Sequence, residues 1–278
     1  MAPESEVSQG LERLAGIEVV RVTPQTAGPV RDQVVIERPV AIEVNGLPAA
    51  LLMALPGDEE ELAAGFALSE GIVRNRAELL LLRACAPPEA SSQEWEGEHP
   101  LLVKVVVPVE RLRSRAQKPV VRYACGTVGR SIAAHPPEPL SDGFRVSRAV
   151  LLGLHGQITR APLAHRQTGG THAAASFDSQ GNLIILREDV GRHNAVDKVL
   201  GHCLLSGVPL EDKLLVTTGR ASSELALKAI TARVPVLAAL SAPTSLAVRW
   251  AEYFGLTLIA FLRPRRMNIY AHPQRVTD

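Results

Sequence analysis

Aromatic residues are scarce in this chain and make up only 4% of its 278 residues. Proteins that bind single-stranded nucleic acid stack bases on aromatic side chains, and this chain has too few to supply such a platform. An excess of one charge is also lacking, because 30 Lys and Arg face 29 Asp and Glu. No overall field therefore draws the chain to nucleic acid or to an anionic membrane, and we expect neither as a partner.

Long apolar runs are missing as well. The richest run, residues 234–240, is bounded by Arg233 and by a Ser-Ala-Pro sequence, and it is far shorter than the roughly 20 apolar residues of a membrane helix. The N-terminus carries acid at Glu4 and Glu6, where a secretory signal would carry base. We expect a soluble protein without a membrane span.

Cysteine is rare, and the three residues of this type are Cys85, Cys125 and Cys203. An odd number with wide spacings argues against a disulfide framework and against a tetrahedral zinc site. We therefore expect a cytoplasmic location and no metal held by side chains. Cys85 and Cys203 lie in apolar runs, which favours buried, inert thiols.

Cys125 differs because it lies in the segment Tyr-Ala-Cys-Gly-Thr-Val-Gly-Arg, with Arg122 and Arg130 close by. Nearby guanidinium groups favour the thiolate, which is the reactive form, and glycine gives the backbone freedom to present the side chain. On the residues alone, a nucleophile and an inert buried cysteine are equally supported.

The first third of the chain is predicted to be β-rich. Alternation at residues 40–44 leads through the hairpin signal Asn45-Gly46 to a second strand at 49–55. Three glutamates at 59–61 then open a helix that Gly71 ends. A loop at 87–100 and a strand at 101–109 follow.

Residues 118–143 are punctuated by proline and have no clean periodicity, which marks a domain junction. Beyond them helical and strand patterns alternate, as they do in a layered α/β domain. The predicted helices cover residues 147–158, 192–205, 222–232 and 244–254, and the predicted strands cover 173–177, 183–186, 214–218, 236–240 and 256–261. We predict an α/β protein with a small β-rich domain at 1–118, a junction loop at 119–143 that carries Cys125, and an α/β domain at 144–278.

Two polar clusters stand out against their apolar surroundings. Residues 187–198 read Arg-Glu-Asp-Val-Gly-Arg-His-Asn-Ala-Val-Asp-Lys, and residues 168–172 read Thr-Gly-Gly-Thr-His. A charged cluster at the start of a helix can bind an anion or brace an active site, or it can be a solvated helix start; we favour a site. His172 and His193 could be acid-base groups or structural hydrogen-bonding residues.

Two further segments could bind phosphate. At 217–224 a strand meets a helix start, where free N–H groups and Arg220 suit an anion, although plain helix capping explains the serines equally well. Arg263, Arg265 and Arg266 follow the last strong strand, and ligands of open α/β sheets gather at the carboxyl ends of strands. The alternative for these arginines is a solvated basic tail.

Several long motifs in this order make the chain recognisable. They are Leu-Ser-Glu-Gly-Ile from residue 68, Thr-Gly-Gly-Thr-His-Ala-Ala-Ala from 168, the run at 187–198, Gly-Arg-Ala-Ser-Ser-Glu from 219 and Ser-Ala-Pro-Thr-Ser-Leu-Ala-Val from 241. From about Val40 to Pro273 the chain resembles the FdhD family, the sulfur-carrier accessory proteins of formate dehydrogenase.

The resemblance implies a sulfurtransferase that takes sulfur from a cysteine desulfurase as a persulfide on Cys125. The sulfur would pass to the molybdenum or tungsten bis-guanine-dinucleotide cofactor, a bound substrate, so that formate dehydrogenase becomes active. The implied cofactor-binding residues are Phe261, Leu262, Arg263, Pro264, Arg265 and Arg266, and we add His172 and Arg220 to them. Which metal is used and whether the protein forms a homodimer are left open.

The resemblance also implies that the C-terminal domain is similar to the cytidine deaminase fold, with a smaller N-terminal β-containing domain. The deaminase chemistry is not implied, because neither His-x-Glu nor Pro-Cys-x-x-Cys occurs. Two positions depart from the family pattern, since Val128 replaces a second loop cysteine and Pro264 replaces a common glycine. The first departure leaves an alternative, a cofactor-binding chaperone that carries no sulfur.

Overall fold

The computed structural model describes residues 13–85, 100–113 and 137–278, with the side chains of 112 and 113 left aside. Cys125 and most of the junction loop predicted at 119–143 lie outside the described residues. None of the helices in these three ranges is long and apolar enough to cross a membrane.

The chain begins with a two-stranded ribbon, β1 (Leu14–Val22) and β2 (Ala27–Val35), paired antiparallel along its whole length. Its side chains are largely exposed, and Val20 and Val22 are exposed by 68% and 73%. This ribbon was not predicted from the sequence, because its residues do not alternate between a buried and an exposed face.

A four-stranded sheet follows and confirms the β-rich prediction for the first third. It contains β3 (Arg38–Val44), β4 (Leu47–Ala54), β5 (Leu81–Cys85) and β6 (Leu101–Val106) in the order β4-β3-β6-β5. Asn45 and Gly46, both in the left-handed region, form the predicted hairpin turn. The last strand ends at Val106 and not at residue 109, because a short helix, α2 (Val109–Arg113), begins there.

The second half contains a six-stranded mixed sheet. Its strands are β8 (His172–Phe177), β9 (Leu183–Asp189), β10 (Leu214–Thr217), β11 (Val236–Ala239), β12 (Thr257–Arg263) and β13 (Arg266–Ala271), in the order β13-β12-β11-β10-β8-β9. The central pairs β10–β11 and β11–β12 are parallel, and β8 and β13 run against their neighbours. All five strands predicted here are present. The arginine segment, for which the sequence left a phosphate site or a solvated basic tail open, forms the turn into β13. It is therefore not a tail, and phosphate binding there stays a prediction.

Helices cover both faces of this sheet, so the predicted layered α/β architecture is confirmed. They are α3 (Arg148–Arg160), α4 (Leu163–Thr168), α5 (Arg192–Leu205), α6 (Ser223–Thr231) and α7 (Ser245–Phe254). Alternate strand residues face opposite sides: Leu214 and Val216 pack with α3, whereas Leu215 packs with α5, α6 and α7. Two short strands, β7 (Val146–Ser147) and β14 (Val276–Thr277), pair in parallel. The first of them directly precedes α3.

The first helix, α1 (Glu59–Ser69), joins the two sheets by packing against α5. A Cβ atom added to Gly65 would lie 1.7 Å from the Asp197 carbonyl oxygen, and one added to Gly201 would lie 1.8 Å from that of Glu61. Only glycine allows two helix backbones to approach so closely. Apolar residues from both sheets then belong to one continuous core.

Candidate functional site

The site lies at one edge of the six-stranded sheet. Strands β9, β10, β11 and β12 all end at this edge, and antiparallel β8 begins there at His172. Helices α5, α6 and α7 follow β9, β10 and β11 within a few residues, so their N-termini lie at the same edge. Helix N-termini carry partial positive charge and N–H groups without intrahelical partners, which suits them to bind anions.

The charged run at 187–198 connects the two sheets. Asp189 ends β9 and is fully buried, with its carboxylate 2.8 Å from the ammonium group of Lys198, which is also fully buried. The same carboxylate accepts hydrogen bonds from the Leu55 and Gly191 amides and from the Asn194 side chain. Lys198 also donates to the Leu55 carbonyl oxygen at 2.8 Å. This part of the run is therefore a buried brace, rather than a solvated helix start.

Two further contacts extend the brace to α1. Arg187 donates from Nε and one terminal nitrogen to the Glu61 carboxylate, at 2.7 and 2.8 Å. Deeper in the interface, Lys228 of α6 donates to Asp197 at 2.8 Å and to Ser69 at 2.8 Å. Burial raises the pKa of Asp197, although the charge of Lys228 opposes that rise. These charges hold α1, α5 and α6 in register.

The Thr-Gly-Gly-Thr-His segment is fixed by the buried carboxylate of Glu188. This carboxylate accepts hydrogen bonds from the Ala164 and His165 amides, at 3.1 and 2.8 Å, and from the Thr171 hydroxyl at 2.9 Å. Gly169 ends α4 with φ 69°, a conformation that suits glycine. Glu188 thus sets where β8 begins and where His172 points.

His172 is partly buried beside the β10–α6 junction, with its Nδ1 atom 3.4 Å from the Thr218 hydroxyl. Burial lowers the pKa of His172, and electrostatic interactions with Arg192, His165, His193 and Arg220 lower it further. The structure therefore brings together two of the predicted site residues, His172 and Arg220. The lowered pKa keeps the His172 imidazole neutral at neutral pH.

The β10–α6 junction supports both interpretations that the sequence left open. Ser222 caps α6 by accepting a hydrogen bond from the Leu225 amide, so capping accounts for that serine. Arg220 is exposed at the same edge, and the capping hydrogen bond does not involve it. Thr244 caps α7 in the same way, through the Ala247 amide.

The predicted cofactor-binding stretch lies at the end of β12 and in the turn to β13. Phe261 is partly exposed and has φ 52°, a strained backbone conformation of the kind that occurs at functional sites. Leu262 is fully buried in the core, and Arg263 donates to the carbonyl oxygens of Leu240 and Leu262, at 2.6 and 2.8 Å. Pro264, Arg265 and Arg266 are exposed in the turn.

The predicted cofactor-binding residues lie along one edge of the sheet, but they do not form a single cluster. The β12 strand lies two strands from β10 in the sheet order, a separation of about 10 Å at the usual strand spacing. Phe261, Arg265 and Arg266 therefore lie at one end of the site and His172 and Arg220 at the other. An extended ligand with several phosphates could span both ends.

The two described cysteines have different surroundings. Cys203 is fully buried on α5, and burial raises the pKa of its thiol to about 11. This confirms the prediction of an inert thiol. Cys85 ends β5 and is only partly buried, so the prediction that it is buried was too strong. It lies on β5, which is an edge strand of the small sheet among the described residues. Among the described residues, no cluster of three or more His, Cys, Asp or Glu could hold a metal ion.

The sequence-based site list missed Arg192, Glu188 and Thr218. Arg192 is the first residue of α5, directly after Gly191, a position that the sequence shows. The roles of Glu188 and Thr218 depend on contacts with α4 and β8, which sequence spacing does not reveal.

The fold and the site define the class: a mixed α/β protein in which the N-termini of several helices, which can bind anions, lie at one edge of a sheet. Comparison with known proteins gives the family. The FdhD/NarQ family model matches residues 35–277. The chain therefore belongs to the FdhD/NarQ family, and the resemblance seen in its motifs is confirmed.

Relatives in several bacteria support the assignment. The chain is 42% identical to "Sulfur carrier protein FdhD" of Xanthomonas axonopodis pv. citri, covering 89% of this chain and 86% of that protein. It is 39% identical to the protein of the same name from Mycolicibacterium paratuberculosis, covering 92% and 97%. Among solved structures, a protein described as a formate dehydrogenase accessory protein from Desulfotalea psychrophila matches with a TM-score of 0.74 and 27% identity, covering 96% of this chain and all of that one.

Proposed function

We propose that this protein is a sulfur carrier in the maturation of formate dehydrogenase, and that Cys125 carries the sulfur. The observation that supports this most is the likeness, at about 40% identity over most of both chains, to relatives named sulfur carrier protein. The solved relative described as a formate dehydrogenase accessory protein supports the link to that enzyme.

The choice of Cys125 rests on its chemistry and on the exclusion of Cys203. The thiol of Cys203 has a pKa of about 11 and no access to a donor protein. Cys125 lies in a glycine-containing segment with arginine on both sides, and a positive environment favours the nucleophilic thiolate.

The loading step is a thiol–persulfide exchange. The Cys125 thiolate attacks the outer sulfur of the persulfide on a cysteine desulfurase, the S–S bond of the donor breaks, and the donor leaves as a thiolate. Cys125 then carries the outer sulfur as a persulfide, and no net oxidation has occurred. On delivery, the Cys125 thiolate leaves again. The acceptor metal supplies the two electrons that turn this sulfur into a sulfide ligand.

The acceptor is the molybdenum or tungsten bis-guanine-dinucleotide cofactor, bound as a substrate at the sheet edge. Its phosphates are anions, and the exposed Arg220, Arg265 and Arg266 supply positive charge there. Phe261 offers a partly exposed ring. Leu262 and Arg263 support the turn. Leu262 is buried in the core, and Arg263 donates to a backbone carbonyl oxygen, that of Leu240.

The remaining parts of the proposal follow from the family resemblance. We propose that the α/β domain at 144–278 is similar to the cytidine deaminase fold, and that the protein acts in the cytoplasm. Its partners would be a cysteine desulfurase and formate dehydrogenase.

Mass analysis of the loaded protein tests the proposal. After incubation with a cysteine desulfurase and cysteine, the peptide that contains Cys125 should gain the mass of one sulfur atom. Cys125→Ala should gain none and should fail to support formate dehydrogenase activity. Cys85→Ser is the matched control and should behave as the wild type. Full formate dehydrogenase activity with Cys125→Ala would refute the proposal.

A second candidate is a chaperone that only shelters and delivers the cofactor. Val128 favours it, because the two-cysteine release available to many family members has no partner thiol at this position. Cofactor delivery by Cys125→Ala at the wild-type level would establish this alternative.

A further inference from the structure

Two arginines hold residues 138–142, which we call the return segment, against the α/β domain. In the sequence this segment follows the stretch 114–136, which contains Cys125. The return segment forms no helix or strand, so its backbone groups find their partners in side chains and loops. The contacts that it makes fix the point at which the chain rejoins the α/β domain after Cys125.

Arg233 makes the first of these contacts along the chain. Its Nη1 atom donates to the carbonyl oxygens of Glu138 and Pro139, at 3.1 Å each. Both of these residues are exposed, so water could satisfy the two oxygens equally well. The arginine is therefore not needed to satisfy a buried group, and what it adds is an attachment.

The backbone of Arg233 has the conformation that glycine usually adopts at a helix end. Arg233 follows the last turn of α6 with φ 67°. Its amide and that of the next residue donate to the carbonyl oxygens of Ile230 and Ala229, which is the Schellman arrangement. A side chain is strained in this conformation. Glycine would serve the helix end better, so the contacts with the return segment are what the arginine side chain contributes here.

Beyond Pro139 the return segment is held by other groups. Leu140 is buried, and its amide donates to the Phe254 carbonyl oxygen at 2.8 Å. Buried Arg275 donates to the Ser141 carbonyl oxygen at 2.7 Å. The chain is thus fixed from Leu140 onward without Arg233. Arg233 adds the attachment that lies nearest in sequence to Cys125.

Proline makes this attachment effective. Pro137 and Pro139 flank Glu138, and each proline fixes its own φ and restricts the residue before it. A stiff connection passes an imposed direction on to the chain beside it, whereas a flexible one loses that direction within a few residues. Holding Glu138 and Pro139 therefore sets the direction in which the chain leaves toward Cys125.

Helix α6 relates this attachment to the candidate site. Ser222 caps the helix at the sheet edge where the site lies, and Arg233 follows the other end of the same helix. The two residues are about 16 Å apart at the rise of an α-helix. One rigid helix therefore sets the distance between the sheet edge and the return segment.

We propose that Arg233 is a positioning residue for sulfur delivery, which acts by holding the return segment and so restricting where Cys125 lies relative to the sheet edge. This inference rests on the proposed function. Loading should not need Arg233, because the sulfur donor is a separate protein that approaches from solution. Delivery should need it, because the acceptor is bound by the same chain and the rate depends on how often the two groups meet in a productive geometry.

Arg233→Gly tests the role, because it removes the side chain and leaves a residue that suits the backbone. We expect a melting temperature within about 4 °C of the wild type and wild-type loading of Cys125 by a cysteine desulfurase. The single-turnover rate of sulfur delivery to the cofactor should fall about twofold to fourfold, the scale on which the freedom of a tether changes an encounter frequency. Arg233→Lys, which keeps a donor, should recover part of the loss.

A distance measurement tests the positioning itself. Nitroxide labels are placed on Cys125 and on Thr159→Cys, at an exposed position of α3, in a Cys85→Ser background. Cys203 is fully buried and should take no label. Pulsed electron double resonance then gives the distribution of distances between the labels. The distribution should be wider with Arg233→Gly than with arginine, and intermediate with Arg233→Lys.

Arg148→Gln is the matched control, because it removes an exposed arginine that pairs with Asp278 and does not contact the return segment. It should load, deliver and position Cys125 as the wild type does. Thermal unfolding identifies a variant that has lost its fold, and Arg233→Gln replaces Arg233→Gly in that case. Equal distance distributions in the folded variant and the wild type, or delivery at the wild-type rate, would overturn the proposal.

Failure of this inference is distinguishable from failure of the sulfur-carrier proposal. If wild-type Cys125 takes up no sulfur, the sulfur-carrier proposal fails, and the positioning role in delivery fails with it. If the wild type loads and delivers sulfur and folded Arg233→Gly does so equally fast, only the positioning role fails.

Discussion

Asp189 and Lys198 form an ion pair of 2.8 Å in which both side chains are completely buried. Each also binds Leu55, through the backbone amide and the carbonyl oxygen respectively. The pair therefore fastens the edge of the small sheet to the helix that opens the candidate site. A buried charge is tolerated only with such full pairing.

Breaking this pair should destabilise the protein strongly. Asp189→Asn leaves the Lys198 ammonium group buried without its anion, and such changes cost about 3–5 kcal/mol. Urea unfolding followed by circular dichroism measures the loss. Asp278→Asn, which breaks the exposed pair with Arg148, should cost less than about 1 kcal/mol. Equal stabilities of the two variants would contradict the bracing role.

The crossing of α1 and α5 should not tolerate a methyl group. Gly65→Ala and Gly201→Ala would each place a Cβ atom within 1.8 Å of a backbone carbonyl oxygen of the facing helix, so the helices must separate. We expect losses above about 2 kcal/mol or an insoluble product. The control is Gly153→Ala on the exposed side of α3, where nothing lies within 4 Å of the new atom. There alanine should stabilise, by up to about 1 kcal/mol.

Thiol reactivity should separate the cysteines. Burial raises the pKa of Cys203 to about 11, so this thiol should resist alkylation at neutral pH until the protein unfolds. Cys85, which is partly buried, should react in the folded state. Mass mapping of alkylated peptides, with and without urea, measures the extent of alkylation of both cysteines. Modification of Cys203 at the same rate in both conditions would contradict the structure.

Stability should depend on pH through His172. Its pKa is lowered from 6.5 in the folded protein, so the unfolded chain binds the proton first as pH falls. Stability is then full above about pH 6.5 and declines below it. Urea unfolding between about pH 5 and pH 7.5 should show a smaller decline for His172→Gln. Identical declines would show that His172 does not contribute.

Much of the second half could be predicted from the sequence because its elements have strong periodicity and clear ends. The helix 192–205 agrees with α5 at both ends, and Gly46 marks the hairpin turn as expected. By contrast, β13 was missed because its pairing with β12 is irregular and its residues alternate weakly. The first ribbon was missed because no core faces it.

The role of the charged run could not be predicted for a different reason. Its charge density and the helix behind it are visible in the sequence, but the Asp189–Leu55 hydrogen bond joins residues 134 positions apart. The glycine pair, Gly65 and Gly201, is separated even more widely in the sequence and has no local signature. Contacts of this kind follow from the packing of two sheets, and one sequence does not specify them.

The central claim is that sulfur travels through Cys125, and a chase of radiolabelled sulfur tests it most directly. The protein is loaded by a cysteine desulfurase with labelled cysteine, freed of donor, and mixed with formate dehydrogenase that lacks the sulfide ligand. We predict that label leaves Cys125, appears in the cofactor of the dehydrogenase and rises together with its activity. If activity rises equally with Cys125→Ala while no label is transferred, the account is contradicted.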